Sequence, residues 1–173
     1  MIKTSKTQIT LSIIFLTLIV IGLLPKQIQN PVKGATSNDW HQDTFWYEPW
    51  GVSGVHKGID IFAEKSTEII SPSFSLVIYT GEINIGGKVI VTLDSRLRLH
   101  YFAHLDEIKT QIGAFVSTGQ VLGSVGDTGN AAGKQPHLHY SVVTLIPYLW
   151  KADGASQGWK KIFYLNPADY IQQ

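Results

Sequence analysis

Cysteine is absent from this chain of 173 residues, and so is a strong charge of either sign. Without cysteine the protein has no disulfide bond, no thiolate zinc site, no cysteine nucleophile and no lipid-modified N-terminal cysteine. Any bound metal must then be held by His, Asp or Glu. The formal net charge is +1, and no cluster of Lys and Arg offers a surface for phosphate groups, so we expect no nucleic acid among the partners.

Two familiar catalytic patterns are missing as well. No His-Glu-x-x-His segment occurs, which excludes the metalloproteases that bind zinc on one helix. A nucleotide-binding loop ending at Gly133-Lys134 is also excluded, because Thr128 stands where the first glycine of that motif is required. The glycines of this region therefore need another explanation.

The pattern of the remaining chain is that of β-structure. The length and the 44% of hydrophobic residues suit one globular domain. From Trp40 onward, short β-branched and aromatic runs are separated by glycine, and Gly86-Gly87 marks a turn between two of them. The runs are Thr67–Ile70, Leu76–Thr80, Lys88–Leu93, Leu97–Ala103 and Leu138–Thr144. They predict a mainly β domain over residues 40–173.

The first 25 residues have the pattern of a segment that enters the secretory pathway. Lys3 and Lys6 precede an uncharged run of 16 residues from Ile9 to Leu24. As a helix this run would span about 24 Å, less than the ~30 Å hydrocarbon core of a bilayer but more than most cleaved signal segments. Since no Ala-x-Ala site follows closely, we expect a membrane anchor in residues 1–25 rather than a cleaved signal, and a linker over 26–39. The domain would act outside the cytoplasm, at the periplasmic or cell-wall face, and would be secreted if the segment were cleaved.

One group of metal-binding side chains surrounds a glycine. His56 and Asp60 would be about 13 Å apart on an ideal strand, too far to share one ion. Gly58 between them can supply the bend that brings them together. We therefore expect a loop that ends in a strand, with an imidazole and a carboxylate directed at one metal ion.

The segment His137-Leu138-His139 offers the third ligand. Alternate side chains of a strand share a face, so both histidines would face one site. Three protein ligands leave the fourth position of tetrahedral zinc open, as in catalytic rather than structural sites. The residues alone do not decide which histidine binds the metal and which remains free to move protons.

Three segments together resemble a known family, the lysostaphin-type or LytM-like zinc endopeptidases of bacterial peptidoglycan. They are similar to the family's metal motif, its central aromatic-x-His segment and its closing His-x-His, and the resemblance extends from Val55 to Tyr170. The segments are His56-Lys57-Gly58-Ile59-Asp60-Ile61, Phe102-Ala103-His104-Leu105 and Pro136-His137-Leu138-His139-Tyr140. Three motifs in the right order are far more specific than one.

The resemblance implies the roles of five residues. Zinc would be bound by His56, Asp60 and His139, while His104 and His137 would be catalytic without binding the metal. It also implies two antiparallel β-sheets that form a groove around the zinc site. Which of the two free histidines takes the proton is left open, and His100 would replace His104 if the register of its strand shifted by two pleats.

The function implied by the resemblance is hydrolysis of peptide cross-links or stem peptides of peptidoglycan through a metal-activated water. One alternative is an activator of another wall hydrolase that cuts nothing itself, acting with an unknown regulatory partner. A second alternative is an endopeptidase with a protein substrate. The long segment from Leu145 to Phe163 could border the groove and influence its specificity.

Overall fold

A computed structural model describes residues 6–23 and 27–172 of the chain. Within these residues, one α-helix is followed by nine β-strands and several short 3-10 turns. The elements are α1 (Lys6–Leu23), β1 (Ile59–Phe62), β2 (Glu68–Ile70), β3 (Ser75–Ile83), β4 (Gly87–Asp94), β5 (Arg98–Ile108), β6 (Phe115–Val116), β7 (Val121–Val125), β8 (His137–Thr144) and β9 (Tyr164–Leu165). The mainly β prediction is confirmed.

All nine strands of the described chain belong to one hydrogen-bonded antiparallel network. Strand β5 pairs with β4 along one edge, and on its other edge it pairs first with β8 and then, from Leu105 to Ile108, with β7. Strand β7 continues to β2. The prediction of two separate sheets is therefore wrong, because β5 is long enough to serve as a common strand for both parts.

The five hydrophobic runs of the sequence correspond to β2, β3, β4, β5 and β8, although β5 continues to Ile108, beyond the end of its run at Ala103. The turn predicted at Gly86-Gly87 connects β3 and β4, with Gly86 in the turn and Gly87 as the first residue of β4. Strand β7 lies in the stretch rich in glycine, where Gly123 sits directly against the carbonyl oxygen of Glu107 on β5. A side chain at this position would separate the two strands, so glycine here allows β5 and β7 to pair closely.

The hydrophobic core lies on one face of β1 and β8, opposite the predicted metal ligands. Ile59 and Ile61 of β1 and Leu138 and Tyr140 of β8 are all fully buried. Each such side chain contributes roughly 1.5–3 kcal/mol by burial. The alternate residues of the same strands, Asp60 among them, are turned to the other face, so packing of the core fixes where the ligands are presented.

The segment predicted as a linker packs against the β domain. Ile28 forms a parallel bridge with Ile171, and Val32 forms an antiparallel bridge with Ile69. Both Ile28 and Val32 are buried in the core cluster. The domain boundaries at residues 25 and 39 stay predictions, but residues of the proposed linker contribute to the stability of the domain.

The N-terminal helix was expected to be an anchor or a signal segment. Across residues 6–23 and 27–172, the structure contains no helix with both the length and the hydropathy to cross a bilayer. The expected anchor is therefore not supported. Residues 1–5, which include Lys3, and residues 24–26 lie outside the described residues, and the signal segment stays a prediction.

Candidate metal centre

The structure brings together His56, Asp60 and His139, the three residues for which the resemblance implies metal binding. One carboxylate oxygen of Asp60, Oδ1, lies 2.8 Å from Nδ1 of His139 and 3.1 Å from Nε2 of His56. The two ring nitrogens are 3.1 Å apart. The three ligand atoms all lie within 4.8 Å of one another, which is close enough for one metal ion. Two imidazoles and one carboxylate form a ligand set that fits zinc and leaves its fourth position open.

The backbone explains how the three side chains meet. Strands β1 and β8 are antiparallel, and Asp60 is directly opposite His139. His56 precedes β1, which begins at Ile59, so the chain bends between the two ligands as predicted from Gly58. The fully buried ring of His56 places its Nδ1 3.0 Å from the carbonyl oxygen of Thr44, which turns Nε2 toward the other two ligands.

Asp60 is in the state that a metal ligand requires. Burial raises the pKa of its carboxyl, but the hydrogen bonds to His139 and His56 and the charges of these rings outweigh burial, so the pKa is well below its usual range. The side chain is therefore an anion across the physiological pH range. An anion next to two imidazole rings is suited to a divalent cation.

His137 and His104 lie beside these ligands. Their ring centroids are 5.1 Å apart, and the His104 centroid is 6.0 Å from that of His139. Nε2 of His137 is 4.0 Å from Oδ2 of Asp60. Burial, together with the neighbouring His137 and His139, lowers the pKa of His104 to about 4. This ring is therefore neutral at pH 7.

His104 reaches the groove through an irregular backbone. Leu99, Tyr101 and Ala103 of β5 face the groove, so strict alternation would point residue 104 to the opposite face. His104 has a φ of 65°, in the left-handed region, and this turns its side chain back toward the groove. Such strain in a residue other than glycine is typical of functional sites.

His100 does not replace His104. It is fully buried on the other side of β5, where Nδ1 is 2.6 Å from the hydroxyl of Tyr140 and Nε2 is 3.3 Å from Oδ2 of Asp94. This network connects strands β4, β5 and β8. The alternative register is therefore wrong, and His100 belongs to the interior of the fold.

A groove of about 820 Å³ contains the metal-binding group. Beyond His139 its floor becomes apolar, because Leu99 and Val143 face each other on β5 and β8. Among the described residues lining it, the only carboxylate is that of Asp60 and the only amino groups are those of Lys57 and Lys134. The groove is thus apolar along part of its floor and carries few charged groups.

Aromatic residues near the groove divide into two groups. Trp40 and Trp46, which precede β1, are buried. Trp50 instead stacks on the ring of His56 with 4.1 Å between centroids, and it lines the groove. The segment after β8 also contributes, since Tyr164 lines the groove and the ring nitrogen of Trp46 donates a hydrogen bond to the carbonyl oxygen of Ser156.

Sequence reasoning did not identify four residues that hydrogen-bond to the site's histidines. Thr44, Thr128 and Gln135 accept hydrogen bonds through their backbone carbonyl oxygens, and such a role carries no side-chain signal. Ser141 contacts His139 through its hydroxyl, with Oγ 3.1 Å from Nε2. Its place two residues after His139 on a predicted strand was the available signal.

An antiparallel β domain with a His, Asp and His group on the floor of a groove has the form of a metal-dependent hydrolase. The family comparison makes the class specific. The model of Peptidase family M23 matches residues 54–148, which is more than half of the chain and includes all five predicted site residues. The chain belongs to peptidase family M23.

Individual relatives agree with this assignment. The chain is 37% identical over 113 residues to the L-Ala–D-Glu endopeptidase of Bacillus subtilis, a match that covers 60% of this chain and 35% of the relative. It is 30% identical over 95 residues to lysostaphin of Staphylococcus simulans, covering 53% and 19%. It is also 30% identical over 105 residues to the murein hydrolase activator NlpD of Salmonella dublin, covering 60% and 27%. The match thus spans about a third or less of each of these relatives.

Solved structures share the fold. The catalytic domain of lysostaphin from Staphylococcus simulans superimposes with a TM-score of 0.59 and 23% sequence identity, covering 73% of this chain and 87% of that domain. Csd3 of Helicobacter pylori superimposes with a TM-score of 0.59 and 26% identity, covering 86% of this chain and 34% of that protein. The β fold around the groove therefore also occurs in the catalytic domain of lysostaphin and in Csd3.

Proposed function

We propose that the protein is a zinc-dependent endopeptidase that hydrolyses stem peptides or peptide cross-links of bacterial peptidoglycan. The observation that carries this proposal is the convergence of His56 Nε2, Asp60 Oδ1 and His139 Nδ1 in an open groove, with His104 and His137 beside them. Three ligands with adjacent proton-transfer groups are the parts that a metal-assisted hydrolysis needs.

The relatives support peptidoglycan as the substrate. The L-Ala–D-Glu endopeptidase and the DD-endopeptidase ShyA of Vibrio cholerae are named for the peptide bonds they cut, and the latter is named as a peptidoglycan enzyme. The wall lies outside the cytoplasm, which agrees with the export signal predicted at the N-terminus. We therefore place the action of the domain at the outer face of the cytoplasmic membrane or in the wall.

In this mechanism His56, Asp60 and His139 would hold the zinc ion. Zinc, when bound, supplies a Lewis acid that polarises the scissile carbonyl and the attacking water. Asp60 provides the negative charge that the two imidazoles lack, and burial of His56 excludes water from behind that ligand. The metal-binding residues thus orient the reacting groups against the floor of the groove.

His104 and His137 carry the protons. Nδ1 of His104 is 2.9 Å from the carbonyl oxygen of Thr128, and Nδ1 of His137 is 2.8 Å from that of Gln135. A carbonyl oxygen only accepts, so each Nδ1–H donates, and in the neutral form of each ring Nε2 is the atom that can accept a proton. One ring accepts the proton of the attacking water, and a proton is returned to the amine that leaves, so that peptide and water give one acid and one amine.

The competing function is activation of another wall hydrolase without hydrolysis. The similarity to NlpD favours this alternative, since that relative is named as an activator. The presence of suitable residues at all five site positions favours the enzyme, because a protein that only docks has no need of them. An endopeptidase with a protein substrate would have the same metal-binding group, and the loops around the groove would decide the choice.

The deciding experiment is mass spectrometry of the fragments that the purified protein releases from peptidoglycan, with zinc and after chelation. New peptide termini that disappear on chelation support the endopeptidase and identify its bond. His137→Ala is the matched control, because it leaves the three ligands in place. Release that is equal in the control, or absent with zinc bound while a second hydrolase is stimulated, would contradict the proposal.

A further inference from the structure

Ser141 contacts the side of His139 that faces away from the other metal-binding residues. It lies two residues after His139 on β8, on the same face of the strand, and is 4% exposed. Its Oγ is 3.1 Å from Nε2 of His139. Nδ1 of the same ring is the atom next to Asp60 and His56. The two nitrogens of His139 therefore have different partners.

This arrangement determines where the imidazole proton lies once a metal is bound. A nitrogen that binds a metal carries no proton, so a neutral imidazole bound through Nδ1 carries its proton on Nε2. The Nε2–H of His139 then donates to Oγ of Ser141. His56 is the reverse case, because its Nε2 faces the metal-binding group and its Nδ1–H donates to the backbone of Thr44. Of these two outer partners, only Ser141 can be removed by mutating a side chain.

The chain makes room for this contact at Gly58. A Cβ at this position would lie 2.6 Å from Oγ of Ser141 and would also collide with the carbonyl oxygen of Tyr140. The glycine between the two ligands His56 and Asp60 thus allows the bend to pass directly over Ser141. The hydroxyl is enclosed between the bend and β8, which holds it on the ring of His139.

We infer that Ser141 is a positioning residue for the metal centre, which fixes the tautomer and the ring orientation of His139 by accepting its Nε2–H. The inference rests on the proposed function in one respect, namely that His139 is a zinc ligand. Groups that hydrogen-bond to metal-binding histidines usually influence metal affinity, and their loss weakens metal binding by about 10–100-fold. Ser141 acts on zinc through His139 and need not touch the substrate.

The test compares zinc dissociation constants of the wild type, Ser141→Ala and Ser141→Thr, measured by competition with a chelating dye and without substrate. We expect Ser141→Ala to bind zinc about 10–100-fold more weakly. Ser141→Thr keeps the hydroxyl and suits a strand, so its dissociation constant should stay near that of the wild type. If only the volume of the side chain mattered, zinc binding would not be weakened in Ser141→Ala and left unchanged in Ser141→Thr.

Ser124→Ala provides the matched control. Ser124 is also a buried serine in a strand, 1% exposed on β7, and its hydroxyl has no hydrogen-bond partner within the described part of the chain. Removing it tests the loss of a buried hydroxyl without any contact to a ligand. Its zinc dissociation constant should equal that of the wild type.

A second measurement needs no variant. In the zinc-loaded wild type, nitrogen NMR of the histidine rings should show His139 with its proton on Nε2 and Nδ1 bound. A proton on Nδ1 would overturn the inference directly. A Ser141→Ala protein with normal zinc affinity would also overturn the inference. If only its KM for a peptide rose, Ser141 would contact the substrate instead of positioning His139. If the wild type binds no zinc, or Asp60→Ala binds it equally well, the proposed function fails rather than the role of Ser141.

Discussion

His104 and His137 face each other with 5.1 Å between their ring centroids, and both rings turn Nδ1 to a backbone carbonyl oxygen. The two rings come from different strands, β5 and β8, and neither belongs to the group of three ligand atoms. The two rings therefore line the same part of the groove, and neither ring competes with the three ligands for the metal. This relationship separates metal binding from proton transfer, and the two can be tested independently.

Replacing either ring by alanine should abolish most hydrolysis while zinc stays bound. Proton transfer by a positioned side chain contributes about 10²–10⁴-fold to rate. We therefore expect kcat of His137→Ala and of His104→Ala to fall by that range, with one zinc per chain retained. Hydrolysis rates and metal content measured on the same samples check this. A variant that loses zinc together with activity would show that its histidine is a ligand.

Thr128 should influence His104 without affecting zinc. Its hydroxyl accepts a hydrogen bond from the backbone N–H of Lys88 and donates one to the carbonyl oxygen of Leu105, at 3.0 and 2.9 Å. These bonds hold the Thr128 carbonyl that receives Nδ1–H of His104. Thr128→Val removes both bonds, at about 1–3 kcal/mol for the groups left without partners.

We expect Thr128→Val to lower kcat by about tenfold or more, since misplacing a catalytic group by about 1 Å can cost 10²-fold. Thr128→Ser keeps the hydroxyl and should retain most activity. The zinc dissociation constant should be unchanged in both, which is the opposite of the pattern expected for Ser141→Ala. Equal loss of activity in the valine and serine variants would rule out the hydroxyl as the cause.

Zinc should stabilise the fold through the three ligands. A ligand that binds only the native state at 100 times its dissociation constant adds about 2.7 kcal/mol to the free energy of unfolding. The melting temperature of the wild type should rise on adding zinc and fall on chelation. Asp60→Ala should lose this response, because the remaining imidazoles lack the carboxylate charge. Thermal melts of both proteins with and without zinc measure the difference, and an equal rise in both would contradict the assignment of Asp60.

Stability should fall in acid through Asp94. Burial raises the pKa of this carboxyl, but the hydrogen bond and charge of His100 and the backbone N–H groups of Arg98 and Arg96 outweigh burial and lower it below its ordinary value of 3.8. The folded protein thus binds fewer protons than the unfolded chain. The stabilisation is complete above the ordinary pKa and is lost as the pH falls through the lowered one.

Asp94→Asn removes this titration. We expect a loss of about 1.5–3 kcal/mol at neutral pH, the usual value for a hydrogen bond to a charged group. The variant should also show a flatter fall in stability in acid than the wild type. Urea denaturation at several pH values, with zinc absent from both samples, checks both effects. Parallel curves for the two proteins would show that another group causes the acid sensitivity.

Two parts of the metal-binding group are local in the sequence, whereas the choice of His139 as the third ligand came from the family resemblance. The bend at Gly58 brings His56 to Asp60, and strict alternation puts His137 and His139 on one face, so both features can be read from spacing. His104 differs, because alternation alone would place it with His100 in the interior. Only a left-handed backbone at that residue turns it to the groove, and the sequence does not mark such a conformation in a residue other than glycine.

The number of sheets was harder to predict from the sequence than the positions of the strands. Hydrophobic runs predicted where strands lie, but the pairing of β5 with both β7 and β8 depends on a register shift near Leu105. A shift of one residue moves every following side chain to the other face, and a hydrophobic run does not mark where such a shift occurs. The packing of Ile28 and Val32 was missed for a related reason, since single apolar residues in a polar segment give no period to detect.

The bridge between Ile28 and Ile171 has a practical consequence for protein engineering. The backbone N–H of Ile28 donates to the carbonyl oxygen of Tyr170, and the N–H of Gln172 donates to that of Ile28, both at 2.8 Å. The segment from Ile28 to Gln172 therefore begins and ends side by side, which is the geometry that tolerates circular permutation. A short peptide could join Ile28 to Gln172, and new termini could be opened in the exposed stretch 152–156, on a different part of the chain from the five site residues.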